Sequence, residues 1–456
     1  MQSTSPQNPT VVVAQFPDHS AVDVAAAFAR SRPAQRQWAA APALERSQAL
    51  DACADLVRQA SHELIDLGVA EVGKPRTEMA AEVTRAVGIL RYYAAAALDP
   101  NGETYPGADP TCLEWSRDVP WGAVGLITPW NFPIAIPLWK AAPALAYGNA
   151  VVCKPAPAGT AVALRLAELM QAVLPADVFT VVTGGGPAGE AVVAQADAIS
   201  FTGSVAVGQR VVLAGAARGE PVQAEMGGQN PSIVLADADP QAAAQVIAAA
   251  AMAYAGQKCT ATSRVVVVGD PRPFTEALVA AVEDLLVGDP DDPAVVVGPV
   301  ISQLAQATVV AAAQEALSAG GEVLLGGHAL GEVGHYVAPT VVRGLAPEHR
   351  LAQEETFGPF VVIQDAKDLA TAVGIANGVR YGLAAAIFTG DLGLALRLSS
   401  EVEAGMLRVN GPTTGVDFYA PFGGLKESSY GLREQGKAAR RFYTQRQTIT
   451  MCRPPG

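Results

Sequence analysis

From residue 121 to residue 214 the chain alternates short, continuously apolar runs with stretches of helical spacing, and few folds accept that rhythm. The runs at 121–127, 150–153, 178–182 and 198–201 read as strands, and the segments at 160–173, 187–195 and 205–214 read as helices. A strand that is apolar on both faces needs cover on both faces, which a parallel sheet flanked by crossover helices provides. A second set follows Pro231, with strands at 265–268, 322–325, 360–363, 384–388 and 406–409 and helices at 273–287 and 303–319. Ahead of both, residues 21–98 carry Leu and Val at helical spacing in an Ala-rich background, and 110–119 alternates like a strand. Each set is of domain size, and 456 residues exceed what one core organises. The expected fold class is α/β, with two doubly wound parallel-sheet domains meeting near residues 228–231.

Composition narrows the partners. Half of the residues are apolar and 16% are charged, the balance of a globular chain. A formal charge of −13 disfavours nucleic acid and anionic membranes, which demand a basic surface, although one local pocket can carry the opposite sign. Residues 1–20 show no leader pattern, and the Ala-rich run 242–255 is too short to span a membrane. The five cysteines, Cys53, Cys112, Cys153, Cys259 and Cys452, are odd in number and scattered. Neither a disulfide framework nor a zinc site is expected from them, and a reducing, cytoplasmic location is. The five histidines have no ligand spacing, so no metal site is expected.

Three stretches carry chemistry. Gly256-Gln257-Lys258-Cys259-Thr260 offers a thiol, Glu225-Met226-Gly227-Gly228-Gln229-Asn230-Pro231 a carboxylate, and Pro129-Trp130-Asn131-Phe132-Pro133 a side-chain amide. A thiol adds to an aldehyde carbonyl, and an amide together with the Cys259 backbone N–H can hold the resulting oxyanion. A carboxylate whose pKa is raised by burial can later activate water against a thioester. The thiol itself needs local dipoles or cations to lower its pKa, and Lys258 stands next to it. Each residue taken alone has a blander reading: an inert buried thiol, a solvated glutamate, a turn asparagine. The other four cysteines keep the inert reading.

These segments resemble the aldehyde dehydrogenase superfamily, from about Val22 to about Thr450. The resemblance implies an NAD(P)-dependent, non-acylating oxidation of an aldehyde to a carboxylic acid through a thiohemiacetal and a thioester on Cys259. Glu225 would be the base and Asn131 the oxyanion donor; members that pass the acyl group to coenzyme A typically lack this glutamate. NAD or NADP is implied along Thr128, Pro129, Trp130, Lys154, Ala156, Pro157, Gly186, Phe201, Thr202, Gly203, Ser204 and Val207, with Gly227, Glu355 and Phe357 at the nicotinamide end. On the residues alone, the Gly203-Ser204 turn reads equally as an ordinary βα turn. Many NAD-preferring members carry a glutamate where Pro157 stands, and its absence removes a group that would repel a 2′-phosphate.

The same resemblance lines a substrate funnel with Phe132, Ile136, Trp139, Lys258, Thr260, Val416, Asp417, Phe418 and Phe422. It assigns residues 1–100 and 120–228 to a Rossmann-like dinucleotide-binding domain, 229–439 to a catalytic domain, and 101–119 with 440–456 to a small β arm for a homodimer or homotetramer. The early β-hairpin common in the family is not expected, so the chain should start near the first helices. Residues 127–137, 256–264, 412–417 and 433–436 look most like bacterial 2,5-dioxovalerate (α-ketoglutaric semialdehyde) dehydrogenases. Another aldehyde stays open, whether succinic semialdehyde, aliphatic or aromatic. So does thioesterase-like ester hydrolysis as a side reaction. A non-catalytic dinucleotide-binding structural protein is the reading from another class, and the intact set Cys259, Glu225 and Asn131 argues against it.

Overall fold

Four helices lead into the first large sheet: Ala21–Ala40, Ala43–Gln59, Ser61–Val72 and Arg76–Ala96. Local chemistry sets their ends. Ser20 and Asp23 form a capping box on the first, Pro42 and Pro75 precede the second and fourth, and Gly73 (φ 64°) stops the third in the left-handed region. The computed structural model describes residues 1–454, so residues 455–456 of the expected arm lie outside the described residues.

The first sheet runs in the order Ser429–Tyr430, Val222–Glu225, Ala198–Thr202, Ala123–Thr128, Ala150–Pro155, Phe179–Val181. Its strands are parallel except Ser429–Tyr430, which returns late in the chain to pair antiparallel with Val222–Glu225. The chain order reverses on either side of Ala123–Thr128, which creates the switch-point crevice where open α/β sheets bind ligands. The second sheet runs Glu322–Leu325, Thr340–Arg343, Phe360–Ala366, Thr262–Val268, Asn230–Val234, Ala384–Phe388, Met406–Val409. Only its first pair is antiparallel. Both sheets are therefore parallel in their centres and mixed at one edge. The helix Ala135–Ala146 is buried at every residue, because it lies between the first sheet and the leading helices.

Three features differ from the sequence expectation. Gln2–Ser5 and Asn8–Gln15 do form an antiparallel hairpin. Its turn is seated by a bond from Gln7 Nε2 to Val69 O (2.9 Å) and another from His335 N to Pro6 O (3.0 Å). The strand Asn8–Gln15 is mostly exposed, so it lacks the apolar alternation by which strands are recognised, and only the β-branched run Thr10–Val13 marks it. Residues 438–443 are helical before the strand Thr444–Cys452 begins, because Phe442 and Tyr443 turn inward to be buried. Finally, Cys112 and Cys452 are joined in a disulfide. Thr444–Cys452 pairs with Cys112–Pro120 in unbroken antiparallel register, which sets the two cysteines opposite each other although 340 positions separate them. No spacing rule reports that. Cys53 and Cys153 are the inert buried thiols expected, both pushed up to about 12 by burial.

Arg264 ties the second sheet together. It is fully buried and meets backbone carbonyls instead of an acid: Nε and Nη2 donate to Gln229 O (3.1 and 2.9 Å), Nη1 to Ile375 O (2.9 Å) and Nη2 to Ala376 O (3.0 Å). It thus fixes the segment entering Asn230 and the last carbonyls of the helix Leu369–Asn377 to one strand. Burial pulls its pKa down to about 9, yet it stays charged at neutral pH. Arg264→Met would strand three carbonyls, and we expect Tm to fall by roughly 5 °C or more. An unchanged Tm in a thermal melt would remove this residue as a keystone.

Candidate active site

Cys259 follows a backbone segment that few sequences could adopt. Tyr254, Ala255 and Gly256 are consecutively left-handed (φ 57°, 52° and 65°). A Cβ at position 256 would lie 2.2 Å from Gly358 O, so only glycine fits. The strain is held by buried amide side chains. Gln257 donates from Nε2 to Tyr254 O and Pro299 O (3.3 Å each) and accepts from Ile301 N (2.8 Å). Asn230 Nδ2 donates to Cys259 O and Ala261 O (2.8 Å each). The loop can therefore present the half-buried thiol in one place.

Asn131 reaches the same loop from the first sheet. Its Nδ2 donates to Gln257 O (2.9 Å), which leaves one N–H of that amide free. The turn carrying it is pinned by a fully buried ion pair, Lys74 Nζ to Glu82 Oε2 (2.6 Å). Lys74 also donates to Asn131 O (3.1 Å), and Glu82 Oε1 accepts from Ile134 N and Ala135 N (2.9 Å each). One turn earlier on the helix, Glu78 pairs with Lys258 (2.7 Å).

Glu225 ends the strand Val222–Glu225 and is buried. Its Oε2 accepts from Ser429 Oγ (2.5 Å), while Oε1 has no partner. Burial, then the negative charge of Glu434, push its pKa well above the ordinary carboxylate range, against Ser429, Lys140 and Arg433. The thiol is likewise raised, by burial and then by Glu355, Glu225 and Glu434. Lys258, the expected local cation, does not figure in this balance, and its ammonium is engaged by Glu78. The resting thiol is neutral, with carboxyl groups beside it that can take its proton.

A groove of about 670 Å³ opens at the C-terminal ends of the first sheet's strands. Thr128, Pro129, Trp130, Lys154, Ala156, Pro157, Gly186, Phe201, Thr202, Gly203, Ser204 and Val207 all line it. The residues fit a dinucleotide: a Cβ at Gly186 would meet nothing within 4 Å, the buried Thr202 Oγ1 lacks a partner, and the helix Val205–Arg218 opens there with its N–H groups. Gly227, Glu355 and Phe357 stand between this groove and the thiol. Glu355 accepts from Gly228 N (3.3 Å), a Cβ at Gly227 would collide with Glu355 Oε2, and Phe357 meets Trp130 edge-on with centroids 5.8 Å apart. Burial pushes Glu355 up to about 8.

The aldehyde dehydrogenase family model matches residues 1–449. The chain belongs to the aldehyde dehydrogenase family. It is 39% identical to the alpha-ketoglutaric semialdehyde dehydrogenase of Bacillus subtilis (strain 168), covering 98% of this chain and 93% of that one. It is 38% identical to a betaine aldehyde dehydrogenase of Cereibacter sphaeroides (strain ATCC 17029 / ATH 2.4.9), covering 96% and 91%. Among solved structures, an NAD-dependent aldehyde dehydrogenase from Sinorhizobium meliloti superimposes with a TM-score of 0.96 at 34% identity, covering 100% of this chain and 92% of that one. This dehydrogenase is thus an oxidoreductase acting on small aldehydes. No helix among its described residues is long and apolar enough to cross a membrane.

A second cavity of about 570 Å³ reaches Cys259. Of the residues named for the funnel, Phe132, Ile136, Trp139, Lys258, Thr260, Val416, Phe418 and Phe422 line it. Asp417 is not part of its wall. Sequence reasoning missed three groups of residues. Glu78, Glu82 and Arg85 also line this cavity; their spacing of four and three places them on one helical face, which was a readable signal. Glu190 and Arg210 line the groove without any local motif. Behind Glu225, Lys140 contacts Glu434 and donates to Ser200 Oγ (2.8 Å). A lone lysine in the apolar helix Ala135–Ala146 was the available hint.

Glu225 costs the fold stability that the active site uses. Its folded-state pKa lies above its unfolded one, so the stability it contributes is complete below the unfolded value and is lost as pH rises through the folded value. We expect Glu225→Gln to raise Tm, with a larger gain at pH 8 than at pH 5. The same variant should give a burst of reduced nicotinamide followed by a much lower steady rate. A steady rate equal to the parent's would exclude Glu225 as the base.

Proposed function

We propose that this dehydrogenase oxidises 2,5-dioxovalerate to the dicarboxylate, with Cys259 as nucleophile, Asn131 as oxyanion donor and Glu225 as base. The substrate reading is carried by the near full-length identity to the Bacillus subtilis semialdehyde enzyme. In this mechanism Cys259 Sγ attacks the aldehyde carbon as its proton passes to a neighbouring carboxylate, a role that the raised pKa of Glu225 suits. The alkoxide is held by the free Asn131 N–H and by the Cys259 backbone N–H. Held by the groove residues, a nicotinamide dinucleotide would supply the hydride acceptor needed for oxidation of the adduct on Cys259 to a thioester. Glu225 first releases the thiol proton to solvent and then takes one from water, whose oxygen attacks the thioester carbon. The carbon–sulfur bond breaks, the acid departs and Cys259 regains its proton.

We further read residues 1–100 and 120–228 as the dinucleotide-binding domain, 229–439 as the catalytic domain and the three-stranded segment as an arm for a homodimer or homotetramer. The exposed Leu113 and Met451 on that arm support this assignment. We also read the chain as cytoplasmic, since three of its five cysteines, Cys259 among them, are unpaired and the one disulfide, Cys112–Cys452, only joins the ends of two paired strands. Cys259→Ala should abolish turnover while dinucleotide binding persists. In a panel followed by nicotinamide absorbance, 2,5-dioxovalerate should have the highest kcat/KM, ahead of succinic semialdehyde, betaine aldehyde and simple alkanals. A betaine aldehyde optimum would overturn the substrate assignment.

Pro157 begins a short 3-10 turn, Pro157–Gly159, on the wall of the groove beside Lys154. Lys154 Nζ donates only to Pro155 O (3.0 Å), so its charge has no acidic neighbour in contact. With no carboxylate at position 157, a 2′-phosphate meets no fixed repulsion there. We expect activity with both NAD and NADP, within roughly a hundredfold in kcat/KM, which is under about 3 kcal/mol of discrimination. No detectable rate with NADP would mean that another group excludes the phosphate.

A further inference from the structure

The cavity that reaches Cys259 is walled mainly by Phe132, Ile136, Trp139, Val416, Phe418 and Phe422, and four charged side chains also face it. Three of these are neutralised by ion pairs: Glu78 with Lys258, and Glu82 with Lys74. The fourth is Arg85. Its Nε is buried with no hydrogen-bond partner, and its Nη2 reaches only the neutral Gln435 Oε1, at 3.3 Å. Among the described residues it forms no ion pair, although Asp417 and Glu82 lie within electrostatic range. A guanidinium in a mostly apolar cavity, with an unsatisfied donor, is costly unless something anionic completes it. Its planar fork matches a carboxylate in two parallel bonds. The overall charge of −13 would repel an anionic substrate, so recognition requires a local cation of this kind.

We propose that Arg85 is the residue that binds the distal carboxylate of the aldehyde substrate and so selects anionic semialdehydes over neutral and cationic aldehydes. This rests on the reading of the cavity as the aldehyde funnel. It also separates two chemistries found among the relatives, because a semialdehyde acid carries a negative charge at the end remote from the aldehyde and betaine aldehyde a positive one. Arg85 does not touch the reacting atoms in this scheme. It sets which chain end can lie in the funnel while the aldehyde meets Cys259.

The test compares kcat/KM for 2,5-dioxovalerate and for pentanal, an aldehyde of equal length without the carboxylate. Arg85→Met should lower the ratio of the two by about thirtyfold, mainly through KM for the anion, and Arg85→Lys should restore part of it. In the unmodified enzyme, glutarate should compete with pentanal, whereas pentane-1,5-diol should not. That measurement holds even if a variant fails to fold. An unchanged ratio in Arg85→Met, or equal inhibition by glutarate and the diol, would overturn the assignment of Arg85 and leave the funnel intact. Turnover of both aldehydes by Cys259→Ala would instead overturn the funnel itself.

Discussion

The buried pair Lys74–Glu82 supports the geometry on which the active site depends. Both side chains are fully out of water, so each relies on the other and on the backbone for solvation. Lys74 lies 3.4 Å from the Phe132 ring centroid and 4.8 Å from that of Tyr254, while also donating to Asn131 O. Glu82 caps the first N–H groups of the helix Ala135–Ala146. Burial lowers the Lys74 pKa, and Glu82 and Glu78 oppose that shift. Removing either partner would leave a charge unpaired in an apolar site, a loss of about 3–5 kcal/mol. The arrangement joins the turn bearing Asn131 to the strained segment preceding Cys259, so amide and thiol keep their mutual position.

The chemistry beside that pair is governed by burial rather than by cations. Carboxyl groups surround the thiol, and both thiol and base have raised pKa values. The raised pKa of the base offsets part of what burial adds to the cost of deprotonating the thiol, because the difference between the two is what transfer must overcome. Lys140, Glu434 and Ser200 continue the set of buried groups away from Glu225. The cost appears as unpartnered atoms, Glu225 Oε1 and Glu434 Oε2.

Much of this was legible in the chain. The strands Ala123–Thr128, Ala150–Pro155 and Ala198–Thr202 announce themselves because they are apolar on both faces, and their C-terminal ends point to the groove. The three motifs bearing Asn131, Glu225 and Cys259 could be read as chemistry because their residue types and spacing resemble those of the aldehyde dehydrogenase family, whereas each residue alone reads as an ordinary thiol, glutamate or turn asparagine. The unread features share one cause: they depend on contacts between distant segments. Cys112 meets Cys452 through strand register, Lys140 meets Glu434 across 294 positions, and Lys258 is drawn to Glu78 instead of serving the adjacent thiol. The hairpin over residues 2–15 was missed for a different reason, since its exposed strand carries little apolar pattern.

The helix Arg76–Ala96 gathers these dependencies on one face. Glu78 holds Lys258 beside Cys259, Glu82 holds the turn of Asn131, and Arg85 lines the cavity that reaches Cys259, where we propose that it meets the distal carboxylate. Three residues further, a Cβ at Gly88 would lie 2.9 Å from Phe418, so the helix also packs closely on the funnel wall. A rigid helix of this length transmits position between its turns, with successive contacts separated by about 5 Å of rise. Substrate charge recognition and the placement of both catalytic loops are therefore set by one element. Changing the charge at Arg85 alters which aldehyde is held, whereas changing Glu78 or Glu82 alters where the reaction occurs. The funnel can thus be retuned for another aldehyde at the third position without disturbing the first two.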